Sequence, residues 1–276
     1  MLVSLEGEEA VGKTTFAYTA PLPIVGFQFD MGIERALYGA KHDDLFRGLD
    51  IEVIQYDANV LEPKPLKADI TVFELPAPIQ LGQTQLVGFK GLWNYFLIRV
   101  GLALTNHKTR SVVIDTMSGA RRIRADSHLE ELQNQPRKPN EGIRIQLIQV
   151  EWSKPNGDIR NLWTTGAGVR KNLIGTHHLT DERKDGIDKD GRIVQGMLTG
   201  KRTQDGLSNT KDFVDIALRL EKQDRAIRGR FEKCGYNLAL EGTGLDNPTW
   251  DLLVEQIEAF TGDRLGLERR NIGARV

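Results

Sequence analysis

The sequence predicts an α/β fold: a mostly parallel sheet with helices on its faces. Three observations carry this. Apolar runs of strand length recur between segments with helical spacing. The first run, Leu2-Val3-Ser4-Leu5, leads into Gly7-Glu8-Glu9-Ala10-Val11-Gly12-Lys13-Thr14, which fits the phosphate-cradling P-loop pattern G-x-x-x-x-G-K-[ST]. A later run, Ser111-Val112-Val113-Ile114, closes on Asp115.

Taken in order, the first strand is Leu2–Leu5, and a helix starts near Gly12 and runs through Thr15-Phe16-Ala17-Tyr18. A second strand is Pro23–Phe29, ending at Asp30, and a third is Ile51–Tyr56. Residues 57–86 hold four prolines and little periodicity, which predicts an irregular insertion with one edge strand at Ile70–Phe73. Leu92, Phe96 and Val100 give Val87–Leu104 a helical period. Ser111–Asp115 reads as a buried strand, and 118–150 as helix broken at Pro136 and Pro139. Asn161–Ala167 leads as helix into a strand at Asn172–His177. The polar segment 181–212 reads as a long loop or an exposed hairpin. Val214–Leu220 is a further strand with Arg228–Cys234 as its hairpin partner, and Pro248–Phe260 a short helix. The expected organisation is a core over 1–222, carrying an irregular insertion at 57–86 and a mobile basic loop at 179–212. A C-terminal hairpin and helix follow over 223–260, then a flexible tail over 261–276.

The 276 residues suffice for one large domain with appendages. A net charge of −1 means that any nucleic-acid contact must come from a local patch. The single cysteine, Cys234, excludes a disulfide framework and fits a reducing cytoplasm. The chain opens into its first strand, so no signal peptide is expected. Its most apolar helical stretch, Trp93–Leu104, is short and carries Arg99, so no membrane span is expected.

In a P-loop, Gly7 and Gly12 let the backbone curl so that successive N–H groups, from Glu8, Glu9, Ala10 and Val11 through Thr15, face phosphate oxygens. Lys13 reaches the β- and γ-phosphates, and the Thr14 hydroxyl ligates Mg²⁺. A second metal acid is needed. Asp115 supplies it, closing a buried strand expected to lie beside the P-loop strand. Asp30, and Glu34 one turn on, are candidates to orient or deprotonate the attacking water, since ligands sit at the carboxyl edge of such sheets. His177 follows another strand and is placed to sense the γ-phosphate, with His178 facing the other way. No Cys or third His stands near this pair at zinc-ligand spacing.

The P-loop near the start, Phe29-Asp30 after the second strand, Val112-Val113-Ile114-Asp115 at mid-chain, Gly175-Thr176-His177-His178 and then Val214–Leu220 resemble, in that order, the RecA-like P-loop ATPases. More narrowly, the chain resembles bacteriophage nucleotide-binding ATPases of the single-strand annealing recombination type, with Glu151–Asn156 and Leu245–Trp250 also similar. The resemblance spans residues 2–257. It implies Walker A at Gly7, Gly12, Lys13 and Thr14, Walker B at Asp115 and a sensor at His177. Many such enzymes carry a glutamate just after strand two; here Asp30-Met31-Gly32-Ile33-Glu34 puts glycine where the acid is expected.

The resemblance further implies ATP and Mg²⁺ between subunits of a ring or filament, in the cytoplasm of an infected host. Single-stranded DNA is the implied partner, with a single-strand-binding protein a further one. The matching basic segment holds Arg183, Lys184, Lys189, Arg192, Lys201 and Arg202, of which Lys201 and Arg202 are candidates to reach a neighbouring subunit's γ-phosphate. Arg121, Arg122 and Arg124 form another basic cluster, and Trp152 and Trp163 are candidates to stack on bases or to pack the core. The implied activity is ATP hydrolysis in DNA recombination. The alternative is a nucleotide-gated assembly or loading factor with little hydrolysis, and the missing glutamate favours it.

Overall fold

Alternation within the apolar runs decides which side chains meet which face of the sheet. In β1 (Leu2–Gly7), Val3 and Leu5 enter one core and Leu2 the other. In β5 (Ser111–Asp115), Val113 faces one side and Val112 and Ile114 the other; in β6 (Asn172–His177), Ile174 and Leu173 divide the same way. Strands covered on both faces need apolar residues at every position, and this explains the continuous runs in the sequence.

The computed structural model describes residues 1–30, 32–37, 43–59, 66–82, 84–136, 142–187, 193–224 and 226–262. Pro139, Lys189, Arg192, residues 60–65 of the insertion and the tail beyond residue 262 lie outside the described residues.

The remaining strands are β2 (Ile24–Gln28), β3 (Ile51–Gln55), β4 (Ile70–Glu74), β7 (Leu179–Ile187), β8 (Ile193–Gln204), β9 (Ile216–Gln223), β10 (Ala226–Cys234) and β11 (Gly244–Asp246). The main sheet runs β11-β10-β9-β1-β6-β5-β2-β4-β3. From β9 to β3 every neighbouring pair is parallel. The β9–β10 and β10–β11 pairings are antiparallel and extend the same sheet at one end.

On one face lie α1 (Lys13–Tyr18), α2 (Ile33–Leu37) and α8 (Trp250–Thr261), contributing Phe16, Ile33, Trp250 and Leu253 to the core. On the other lie α4 (Phe89–Thr105), α5 (Met117–Gln133) and α6 (Ser153–Gly168), contributing Phe96, Ile123 and Trp163. Two short helices complete the list, α3 (Asp43–Phe46) and α7 (Thr210–Phe213). The Thr116 hydroxyl caps α5 by accepting from the Gly119 N–H. Pro155 sits in the first turn of α6, where a missing N–H costs nothing.

Four expectations are corrected. The strand at Ile70–Glu74 is not an edge: it lies between β2 and β3, and β3 is the edge. The Asp115 strand is not beside the P-loop strand, because β6 is inserted between β1 and β5. The helix predicted over 118–150 ends at Gln133, and among the described residues that follow it the next helical turn is the 3₁₀ turn at Gln149–Trp152. The segment 179–212 is not a loop throughout: β7 and β8 form a two-stranded ladder, the hairpin form of the two readings.

Candidate functional site

The parallel strands deliver Gly7, His177, Asp115 and Gln28 to one edge of the sheet, and the P-loop closes over that edge. Two of its residues take left-handed backbone: Ala10 at φ 58° and Gly12 at φ 78°. Glycine at position 12 is required twice over, since a Cβ would also lie 2.7 Å from Ile227 Cδ1. Gly7 is required by close approach, because a Cβ there would meet the Leu220 carbonyl oxygen at 2.6 Å. Glu8, Glu9 and Ala10 form the exposed crest of the loop; Val11 is buried, and Thr14 and Thr15 are half-buried.

Lys13 lies across the inside of the loop. Its Nζ donates to the carbonyls of Gly7 at 2.8 Å and Glu8 at 2.6 Å. Burial pulls its pKa down, while Asp115, Asp30, Glu8 and Glu9 oppose the shift. The Thr14 hydroxyl donates to Asp115 Oδ2 at 2.7 Å, and the Thr176 hydroxyl donates to Oδ1 of the same carboxylate. Asp115 is buried, which raises its pKa; the hydrogen bonds from Thr176, Thr14 and Gln28 counter that. A divalent cation beside it would favour the ionised form further.

These residues fit a Mg²⁺–nucleoside triphosphate. Thr14 and Asp115 bring a hydroxyl and a carboxylate oxygen together, as a metal pair requires, while Lys13 offers the phosphate cation. Among the described residues no group of three or more His, Cys, Asp or Glu could hold a metal alone. Mg²⁺ takes one or two protein oxygens and the rest from phosphate and water.

The strand alternation separates the two histidines. His177 is 1% exposed, with its Nδ1 3.0 Å from the Gln204 amide nitrogen, and burial pushes its pKa down to about 3. It packs inside the protein, against the expectation that it senses phosphate at the site mouth. His178 is half-buried instead, its Nε2 2.7 Å from Asp30 Oδ2. The hydrogen bond to Asp30 raises the His178 pKa, and the same bond lowers that of Asp30. The half-exposed histidine of the pair is therefore His178, in keeping with the opposite facing of successive side chains along a strand. Sequence reasoning missed Thr176 and Gln28, whose only signal is their position at the ends of strands flanking Asp115.

Glu34 is exposed on α2, with no hydrogen-bond or ion-pair partner among the described residues. Arg202 reaches its own chain's P-loop, with Nη2 3.4 Å from the Glu8 carboxylate and Nε 3.6 Å from Asp181. Its position on β8 is therefore compatible with a contact in cis, rather than only with the contact to a neighbour that the sequence suggested. Lys201 is exposed beside it. The hairpin cations are interleaved with acids: Lys184 pairs with Glu182 at 3.0 Å.

The second basic cluster divides. Arg124 is buried, paired with Asp158 at 2.6 Å and lying over Trp93, so it is not available to phosphates. Arg121 stacks 4.4 Å over the half-buried Trp152 ring and donates to Asn156. Arg122 is exposed near Asp30. Trp163 is wholly buried and belongs to the core.

No protein-family model matches this chain, and no curated protein matches it. Solved structures similar to it include the RadB recombinase, 13% identical, covering 89% of this chain and 85% of that one at a TM-score of 0.41. Another is the KaiC-like protein PH0186 from the hyperthermophilic archaeon Pyrococcus horikoshii OT3, 12% identical over 84% of this chain and 78% of that one, at a TM-score of 0.37. No helix among the described residues is long and apolar enough to cross a membrane.

Proposed function

We propose that this chain is a RecA-like P-loop ATPase that binds Mg²⁺–ATP at the loop over Gly7–Thr15 and hydrolyses it in a recombination-type task on single-stranded DNA. The observation that carries the nucleotide reading is the hydrogen bond of 2.7 Å joining Thr14, on the helix after the P-loop, to the buried Asp115. Two segments 101 residues apart meet at the one place where Mg²⁺ chemistry needs both.

When bound, Mg²⁺ supplies charge neutralisation across the β- and γ-phosphates. The protein's own part is positional and electrostatic. Lys13 gives up its loop carbonyls to meet phosphate oxygens. Asp30 stands half-exposed at the site mouth, where it accepts the proton of the attacking water. The water oxygen bonds to the γ-phosphorus as the bond to the bridging oxygen breaks, and the electron pair leaves with the diphosphate. Lys201 and Arg202 supply further positive charge near the γ-phosphate, in cis or from a neighbouring subunit of a ring or filament. The phage annealing assignment, the host cytoplasm and a single-strand-binding partner rest on the sequence resemblance.

Calorimetric titration with Mg²⁺–ATP tests the core of this reading. The wild-type chain should release heat on binding, and Lys13→Ala should lose affinity by tenfold or more, on the order of 1.4 kcal/mol for each factor of ten. Equal affinity in both proteins would refute the P-loop assignment. ATP turnover with and without single-stranded DNA separates the two functional readings. Stimulation by DNA supports the recombination ATPase. A flat, near-zero rate with intact binding supports the nucleotide-gated assembly factor, which the glycine at position 32 favours.

A further inference from the structure

We propose that His178 is a positioning residue that holds the Asp30 carboxylate over the reaction centre, the pair standing in for the glutamate that the sequence lacks after its second strand. This rests on the hydrolysis reading above.

The contact spans three strands. Asp30 follows β2 and His178 follows β6, with β5 between them, so the 2.7 Å bond from His178 Nε2 to Asp30 Oδ2 arches over the end of the strand that carries Asp115. Both ends of the arch are anchored. The His178 N–H donates to Ser118 Oγ at 3.2 Å, and the Ser118 hydroxyl donates to the Asp205 carbonyl at 2.7 Å. Next to Asp30, the Phe29 N–H donates to the Asp115 carbonyl at 2.7 Å, and the Phe29 ring packs edge-on against Phe96. A group built to position a nucleophile needs this kind of support, since small displacements cost rate steeply.

The charges around the pair suit the task. Lys13 from α1 and Arg122 from α5 face Asp30; Lys13 and Asp115 face His178. Asp30 therefore stays ionised at neutral pH, as a proton acceptor must. The side chains of Asp30 and His178 are 42% and 33% exposed, so water reaches them, whereas Asp115 is sealed. With Oδ2 committed to the imidazole, Oδ1 is left to take the water proton. Glu34, the other candidate base, is exposed and without such support.

The test uses the full-length chain. In steady-state turnover of Mg²⁺–ATP, His178→Ala should lower kcat about 10- to 100-fold, the range typical of partners that orient a reacting group, with KM within about twofold. His178→Gln, which keeps an N–H donor, should recover most of the rate. Asp30→Asn should lower kcat at least as far as His178→Ala. A second readout needs no nucleotide: by NMR, the His178 imidazole should titrate above an ordinary histidine in the wild type and fall back in Asp30→Asn. Wild-type turnover in His178→Ala, while Lys13→Ala is inactive, would overturn the positioning role and leave the hydrolysis reading standing. A wild-type chain that binds Mg²⁺–ATP and never turns it over would overturn both. If His178→Ala does not fold, the comparison of His178→Gln with Asp30→Asn and the NMR titration decide: a titration unmoved by Asp30→Asn overturns the pairing.

Discussion

Replacing His177 by glutamine should remove a steep acid-sensitive contribution to folding stability. The ring is 1% exposed, a Gln204 amide nitrogen faces its Nδ1 at 3.0 Å, and its pKa is pushed down from 6.5 to about 3. A protonated ring would set donor against donor at that contact and bury a charge. In the unfolded chain the same imidazole takes its proton near 6.5. As pH falls below that value the unfolded state binds the proton first, so stability is lost through the window from 6.5 down to about 3 and levels off below it. Each pH unit inside the window is worth about 1.4 kcal/mol, so the loss between pH 6.5 and pH 4 is about 3 kcal/mol from this residue alone. That is a large part of the ~5–15 kcal/mol that holds a typical domain folded. Urea unfolding of the wild type and His177→Gln, each measured near pH 7 and near pH 4, isolates the effect because other titrating groups cancel in the difference. The stability gap should move by about 3 kcal/mol toward the glutamine variant on acidification. Parallel pH profiles for the two proteins would show that this ring is not held neutral, and the placement of His177 inside the protein would be wrong.

Three further outcomes follow from the same contacts. Gly12→Ala, which forces a side chain into left-handed backbone against Ile227, should cost at least about 1–2 kcal/mol in unfolding experiments and weaken Mg²⁺–ATP binding measured by calorimetry. Trp163→Ala should lower stability by about 3–5 kcal/mol in chemical denaturation, with little change in the affinity of the refolded protein for nucleotide. Arg124→Ala should destabilise by about 1–3 kcal/mol, because it removes a buried guanidinium that donates to Asp158 and Ser127 and lies over Trp93, yet leave the salt dependence of any DNA binding unchanged; a reduced salt slope would put Arg124 on the surface.

The local elements were largely legible in the chain. Ser111–Asp115 and Asn172–His177 match the strands read from their apolar runs, because a strand buried on both faces leaves an unbroken hydrophobic signature. Phe89–Thr105 follows from the spacing of Leu92, Phe96 and Val100. Gly7, Gly12, Lys13 and Thr14 were recognisable because their backbone and side-chain requirements are local and fall at fixed offsets.

Strand order was not legible, since pairing is a contest among distant segments with similar patterns. Thus β4 proved interior, and β6 came to lie between the P-loop strand and the Asp115 strand. That insertion still lets Thr14 reach Asp115 from α1, a meeting across 101 residues that no spacing rule announces. The sequence by itself determined that a turn of P-loop pattern, an aspartate and a histidine pair lie at strand ends. Tertiary packing alone decided that His177 is sealed against Gln204 while His178 bridges to Asp30, and that Arg124 is buried while Arg122 is exposed. The reason is that a side chain's charge and chemistry are set where it stands in the chain, but its exposure and its partners are set by what folds over it.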